Sequence, residues 1–200
     1  MIIVDTETSG ISPGKCSLLS VGAVDFANPK NIFYEECRIW NGAHIEKEAL
    51  QVSGFTHEQI TDPKKKSDRE VVVDFLAWLQ PIEEKTLAGQ NPSFDRDFLQ
   101  TTAYRYHINW PLAHRTIDLH TVAYSHMLGR GIAPPKKNQH SDLGLEDILK
   151  YVGVNFTREK HNALEDALLE AEALSRLIYG RSLLSKFSDH PIPKNFSAIK

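Results

Sequence analysis

Cysteine is nearly absent. Cys16 and Cys37 are the only two in 200 residues and fall into no paired spacing. That excludes a disulfide-stapled scaffold and a Cys/His zinc set, and it points to two free thiols in a reducing compartment. Long apolar runs are missing too. The N-terminal stretch Met1 to Val4 is only four residues and no basic segment precedes it, which argues against a signal peptide or a membrane span. Neither sign of charge dominates: 26 acidic residues against 23 Lys and Arg give a formal net charge of −3. A protein that coats nucleic acid through bulk positive charge is thereby excluded, whereas one that meets a few phosphates through metal ions is not. Internal repeats and low-complexity tracts are also lacking. What is left is a soluble, cytoplasmic chain without a membrane partner. Hydrophobic residues make up 41%, enough for a sizeable core. The expected organisation is one domain over 1–180 and a tail over 181–200 of unassigned role.

The pattern of elements predicts an α/β domain. The apolar run up to Val4 reads as a buried strand with Asp5 and Glu7 at its end. Leu18 to Phe26 and Ile32 to Trp40 read as two further strands joined by an Asn28-Pro29-Lys30-Asn31 turn, so the chain opens as an antiparallel meander. Lys47 to Ile60 is short-helical with Gly54 as punctuation, and Lys64-Lys65-Lys66 reads as a solvated turn. Val71 to Leu79 is helical, with Ser67 and Asp68 as caps. Thr86 to Gly89 is a short strand. Asn91 then suits an N-cap and Pro92 the first position of a helix running to about Tyr106. Thr116 to Leu119 is another short strand leading into a helix over Thr121 to Leu128. Gly129 to Asp142, with Pro134-Pro135-Lys136-Lys137 at its centre, reads as a mobile loop. Leu143 to Val152 is a short amphipathic helix. Asn162 with Glu165 resembles a capping box before a long helix carrying Ala163, Ala167, Ala171, Leu174 and Ile178 on one stripe. Strands followed by alternating helices and short strands imply a mixed central sheet, with its site at the carboxyl ends of strands.

Acids stand at three element ends. Asp5 and Glu7 are two apart, so on a strand they share a face. Asp95 lies in the first turn of the Asn91-capped helix. Asp166 lies in the first turn of the long helix, with His161 just before its cap. Helix dipoles alone favour single acids at such positions; the combination is what carries chemistry. Carboxylate oxygens select Mg²⁺ or Mn²⁺ over softer metals. Two such ions roughly 3.5–4 Å apart clamp the attacking and leaving oxygens of a phosphoryl transfer. A histidine titrating near neutrality takes the proton of the attacking water. The residues read as a metal-dependent phosphodiester hydrolase. Asp97 and Asp118 are set aside: Asp97 faces away from Asp95 on a helix, and Asp118 reads as structural.

Asp5-Thr6-Glu7-Thr8-Ser9-Gly10, Asn91-Pro92-Ser93-Phe94-Asp95 and His161-Asn162-Ala163-Leu164-Glu165-Asp166 resemble, in order and spacing, the three motifs of the DnaQ-like DEDDh exonucleases. That group includes the proofreading subunit of bacterial DNA polymerase III, RNase T and oligoribonuclease. Ala49 to Thr56 resembles the segment between the first two motifs in the polymerase-III-like branch. The resemblance covers about residues 1 to 180. It implies an RNase H-like mixed central β-sheet flanked by α-helices. It also implies 3′→5′ hydrolysis of single-stranded DNA or RNA to nucleoside 5′-monophosphates. Asp5, Glu7 and Asp166 would hold the first of two divalent ions, Mg²⁺ or Mn²⁺. Asp5 would bridge to the second and Asp95 would support it, while His161 would be the general base. Thr6 and Glu7 would receive the terminal sugar and base through their backbone. Phe55 and Phe94 would pack near the terminal nucleotide, core packing being the alternative for both. The nucleic acid 3′ end is the expected partner, and the motifs name no polymerase or repair partner. The competing reading is a catalytically silent nucleic-acid-binding or scaffold module of the same fold.

Overall fold

The computed structural model describes residues 1–156, 160–193 and 196. Residues 194–195 and 197–200 of the expected tail lie outside the described residues. Strands β1 (Ile2–Thr8), β2 (Leu18–Asp25) and β3 (Ile32–Arg38) form the antiparallel meander. Helices α1 (Lys47–Ser53) and α2 (His57–Thr61) follow, separated by Gly54, which closes α1 in the left-handed region at φ 72°. A two-residue strand β4 (Lys66–Ser67) pairs in parallel with β3 and leads into α3 (Asp68–Trp78). Ser67 and Glu70 form a reciprocal capping box there. Then come β5 (Leu87–Gly89), α4 (Pro92–Arg105), β6 (Thr116–Asp118) and α5 (Leu119–Gly129). A small hairpin, β7 (Lys136–Lys137) with β8 (His140–Ser141), precedes α6 (Leu145–Tyr151) and α7 (Ala163–Tyr179). The main sheet has the order β4-β3-β2-β1-β5-β6, with β5 and β6 parallel to β1.

The central strands are buried on both sides, and their alternation feeds two separate cores. Ile3, Val24 and Ala88 pack beneath α5, α6 and α7. Ile2, Val4, Val21 and Leu87 pack beneath α3 and α4. Helix α7 sits closest to the sheet because β2 offers it no side chain at Gly22. A Cβ there would lie 2.2 Å from the backbone of Ala163 and Leu164, in the first turn of α7. Gly22 is the antiparallel partner of Asp5, so this contact brings the start of α7 beside the first acid of β1.

Strand β1 carries Asp5 and Glu7 near its end, as expected, with Asp5 paired to Gly22 and Glu7 to Ser20. Backbone pairing with β2 overrides the loss of apolar character. Two expectations are revised. The stretch after Gly129 is no simple loop, because it folds into the β7–β8 hairpin. The Lys64–Lys66 turn is not merely solvated. Lys65 pairs with Glu36 at 2.5 Å, and Lys66 pairs with Glu35 and Asp74 at 2.8 and 3.0 Å.

The chain beyond α7 is tied down over the residues that are described. Arg176 and Glu172, both fully buried, pair at 2.6 Å. Arg176 also donates to the carbonyls of Val152, Phe187 and His190, and Glu172 accepts from the amides of Leu183 and Leu184. The pair is fully hydrogen-bonded, the condition under which a buried ion pair is tolerated. Phe187, in the 3₁₀ turn Ser185–Phe187, joins the core under α7.

Gly22→Ala forces β2 and the first turn of α7 apart. Overpacking of this kind costs roughly 1–3 kcal/mol, so the variant should unfold at lower urea yet remain folded in buffer. The phosphodiester hydrolysis that the sequence leads one to expect should fall further than that loss of stability explains. Urea titration and activity on the same preparation check both.

Candidate active site

The acids of β1 face α7, and the first turn of α7 faces them. Glu7 and Asp166 are 8% and 2% exposed, and Asp5 keeps partial contact with solvent. Glu7, His161 and Asp166 each offer one ligand atom, and these atoms lie within 4.8 Å of one another. His161 Nδ1 stands 3.3 Å from Asp166 Oδ2, on a side chain that is 41% exposed. Asp95 approaches from the other face of the sheet. Its helix packs in the opposite core, and Thr6, whose side chain alternates away from Asp5 and Glu7, donates to Asp95 Oδ1 at 2.8 Å. The four acids thus arrive from both sides of one strand.

Gathering them has an electrostatic cost. Burial raises the Asp5 carboxyl well above the usual carboxylate range, and Asp95, Glu170, Glu7 and Asp166 push it further in that order. Burial likewise raises Asp95 to about 7, against the hydrogen bond from Thr6, which lowers it. Hard, acceptor-only oxygens crowded in this way match the donor set of Mg²⁺ or Mn²⁺, and a divalent ion would relieve the repulsion among them.

The start of α7 is held by side chains far away in sequence. Asn162 caps it, accepting from the Glu165 amide at 3.1 Å. Its amide nitrogen donates to the Tyr34 hydroxyl at 3.2 Å, and that hydroxyl donates to Glu36 at 2.9 Å. The cap is therefore anchored to β3. The reciprocal half of the expected capping box, from the Glu165 side chain back to the Asn162 backbone, is absent among the described residues. At α4 the N-cap also departs from expectation. Asn91 is left-handed at φ 56° and makes no side-chain cap bond. Its side chain instead accepts from the Ser93 hydroxyl, and its amide donates to Asp118 at 3.0 Å. Asp118 also caps α5 through the amides of His120 and Thr121, so this acid braces the turn that opens α4. Asp97 pairs with Arg96 at 2.7 Å, away from the cluster.

Two clefts flank Glu7. One, of about 530 Å³, is lined by Glu7, Tyr34, Phe55, Lys160, His161 and Asn162, among others. The other, of about 310 Å³, is lined by Thr6, Glu7, Thr8, Ile11, Val52 and Phe94, among others. Phe55 and Phe94 therefore line different clefts, each of which includes Glu7. Phe94 also packs on Phe98 with ring centroids 4.9 Å apart, so it serves cleft and core together. Sequence reasoning overlooked Tyr34 and Glu170. Glu170 is 2% exposed and lies one helical turn beyond Asp166. A Cβ on Gly89 would come within 2.7 Å of its carboxylate. The i, i+4 spacing from Asp166 was the available signal.

Two outcomes follow from this geometry. Acids with raised folded pKa values favour the folded state at low pH, and that contribution is lost as pH climbs through about 7 for Asp95. In EDTA the thermal midpoint should drop between about pH 5.5 and pH 8, and Mg²⁺ should restore it at the higher pH; a midpoint that is flat with pH would contradict the crowding. Tyr34→Phe removes the bond from the Asn162 cap and the bond to Glu36, each worth about 1 kcal/mol. Turnover should fall severalfold, and the urea midpoint should drop by roughly 0.5–1 M.

The comparisons agree with this architecture. The profile of the RNase T exonuclease family matches residues 2–174. The chain is 30% identical over 185 residues to the 3′-5′ DNA exonuclease Cap18 of Escherichia coli, covering 88% of this chain and 90% of that protein. It is 29% identical over 205 residues to the DNA polymerase III subunit epsilon of Rickettsia typhi, covering 100% and 82%. It also matches the PolC-type DNA polymerase III of Thermotoga petrophila at 24% identity, where it spans only 14% of that protein. The crystal structure of E. coli exonuclease I with a dA16 oligonucleotide superposes with a TM-score of 0.68 at 18% identity, covering 88% of this chain and 40% of that one. Cell-death related nuclease 4 superposes at 0.65 and 18% identity, covering 88% and 62%. These likenesses in structure establish the RNase H-like fold. Among the described residues no helix is long and apolar enough to cross a membrane. With its fold and a profile match over nearly its whole length, the chain belongs to the RNase T family of exonucleases.

Proposed function

We propose that the chain is a metal-dependent 3′→5′ exonuclease that removes nucleoside 5′-monophosphates from the end of a single strand. The observation that carries this reading is the convergence of Asp5, Glu7, Asp95 and Asp166 with His161 on one strand end. Asp5, Glu7 and Asp166 would hold one divalent ion and Asp95 would support a second; bound there, the ions would supply charge compensation for the attacking and leaving oxygens of the phosphodiester. His161, exposed beside Asp166, takes the proton of the attacking water, and Asp166 stabilises the imidazolium that results. Water oxygen bonds to phosphorus as the bond to the 3′ oxygen of the preceding nucleotide breaks, and that oxygen leaves with a proton from solvent. Thr6 fixes Asp95 in place. Backbone groups of Thr6 and Glu7 receive the terminal sugar, and the two clefts beside Glu7, one lined by Phe94 and the other by Phe55, receive the last nucleotides.

DNA is the favoured substrate, because the relatives named above are a DNA exonuclease and subunits of DNA polymerases. The same relatives favour work beside a polymerase or in a DNA-degrading pathway, inside the cytoplasm.

Labelled single-stranded DNA and RNA of matched sequence, incubated with Mg²⁺ and then with EDTA, test the reading. Metal-dependent shortening from the 3′ end is expected, faster on DNA. Asp5→Ala and Asp166→Asn should nearly abolish it without unfolding the protein. His161→Ala should slow it roughly 10²–10⁴-fold while metal binding persists. Binding without any shortening would favour the silent module instead.

A further inference from the structure

The lysine pair in the stretch after Gly129 holds a defined place beside the site. Lys136–Lys137 and His140–Ser141 pair antiparallel. The two residues between them, Asn138 and Gln139, are both left-handed, at φ 48° and 66°. A two-residue turn with both central φ values positive matches the natural twist of a hairpin, so the arm is short and stiff. Asp142 closes its base by donating to the Pro135 carbonyl at 2.9 Å.

The base is fastened at two points to the strand ends that carry the site. Gln90 donates to the Leu143 carbonyl at 3.2 Å. Gln90 lies between Gly89, which abuts Glu170, and Asn91, which opens the helix of Asp95. His120, in the α5 turn capped by Asp118, meets the Ser141 hydroxyl at 2.8 Å. The hairpin therefore springs from the same edge of the sheet as Asp95.

Its charge is uncommitted. Residues 136–142 are all exposed, and among the described residues neither Lys136 nor Lys137 is in an ion pair. Lys65 and Lys66, by contrast, are matched to carboxylates. From Gly129 to Asp142 the chain carries Arg130, Lys136 and Lys137 against Asp142 alone, in a protein whose net charge is −3.

We propose that the β7–β8 hairpin is a backbone clamp, with Lys136 and Lys137 binding phosphates of the nucleic acid upstream of the scissile bond. The inference rests on the exonuclease reading and names where the rest of the strand goes. A pocket of acids repels a polyanion, and a lysine pair beside it supplies the opposite charge without reading sequence. The attraction is also available to a strand of any length that reaches past the site.

The test is the Lys136→Gln/Lys137→Gln double variant of the whole chain. Binding of a labelled oligonucleotide is read by fluorescence anisotropy with Ca²⁺ in place of Mg²⁺, so that it needs no turnover. Single-stranded and duplex versions form the two arms. The variant should bind roughly tenfold more weakly at low salt, and the slope of log affinity against log salt should fall by about 1.4 on the single strand. Hydrolysis of the p-nitrophenyl ester of thymidine 5′-monophosphate, which has no upstream phosphate, should be unchanged. Equal affinity and equal slope in both arms would overturn the clamp. Failure of the wild-type protein to hydrolyse either oligonucleotide or ester would retire the exonuclease reading, while the binding slopes would still decide the clamp.

Discussion

Helix α7 reaches the acids of β1 because one residue of β2 has no side chain. Gly22 lets the backbone of Ala163 and Leu164 lie where a Cβ would otherwise stand. Everything at the pole of the sheet is set by that approach. It brings Asp166 to Glu7, leaves His161 at the rim, and puts the Asn162 cap within reach of Tyr34. A helix held off by one methyl group would leave the acids of β1 facing open space.

Close approach creates the second constraint, which is repulsion. Five carboxylates, Glu170 included, crowd near β1, four of them raising the fifth, Asp5, and the Thr6 hydroxyl offsets part of the cost at Asp95. Stability for the rest comes from elsewhere: two apolar cores on either side of the sheet, and a saturated Arg176–Glu172 pair at the far end of α7. Asp118 and Tyr34 belong to the same bracing, since each fixes the turn from which an acid-bearing helix starts.

Local patterns in the sequence carried much of this. Period-two spacing placed Asp5 and Glu7 on one face, and the Ser67, Asn91 and Asn162 positions marked where helices begin. The cap at Asn91 was right in position and different in mechanism, since a left-handed residue braced by Asp118 needs no side-chain bond of its own. The Asn138-Gln139 turn lacks the glycine that usually announces a hairpin. Tyr34 and Asn162 are 128 residues apart, and no local pattern encodes such a meeting.

Asp95 rides on the core beneath α3 and α4, whereas Glu7, His161 and Asp166 ride on the core beneath α5 to α7. The centre is thus a joint between two independently packed layers. A partly melted chain that keeps either layer alone retains only part of the acid cluster. Turnover therefore vanishes with the first layer to loosen, before the remaining half has lost its helices, and catalysis becomes a more demanding gauge of native integrity than circular dichroism.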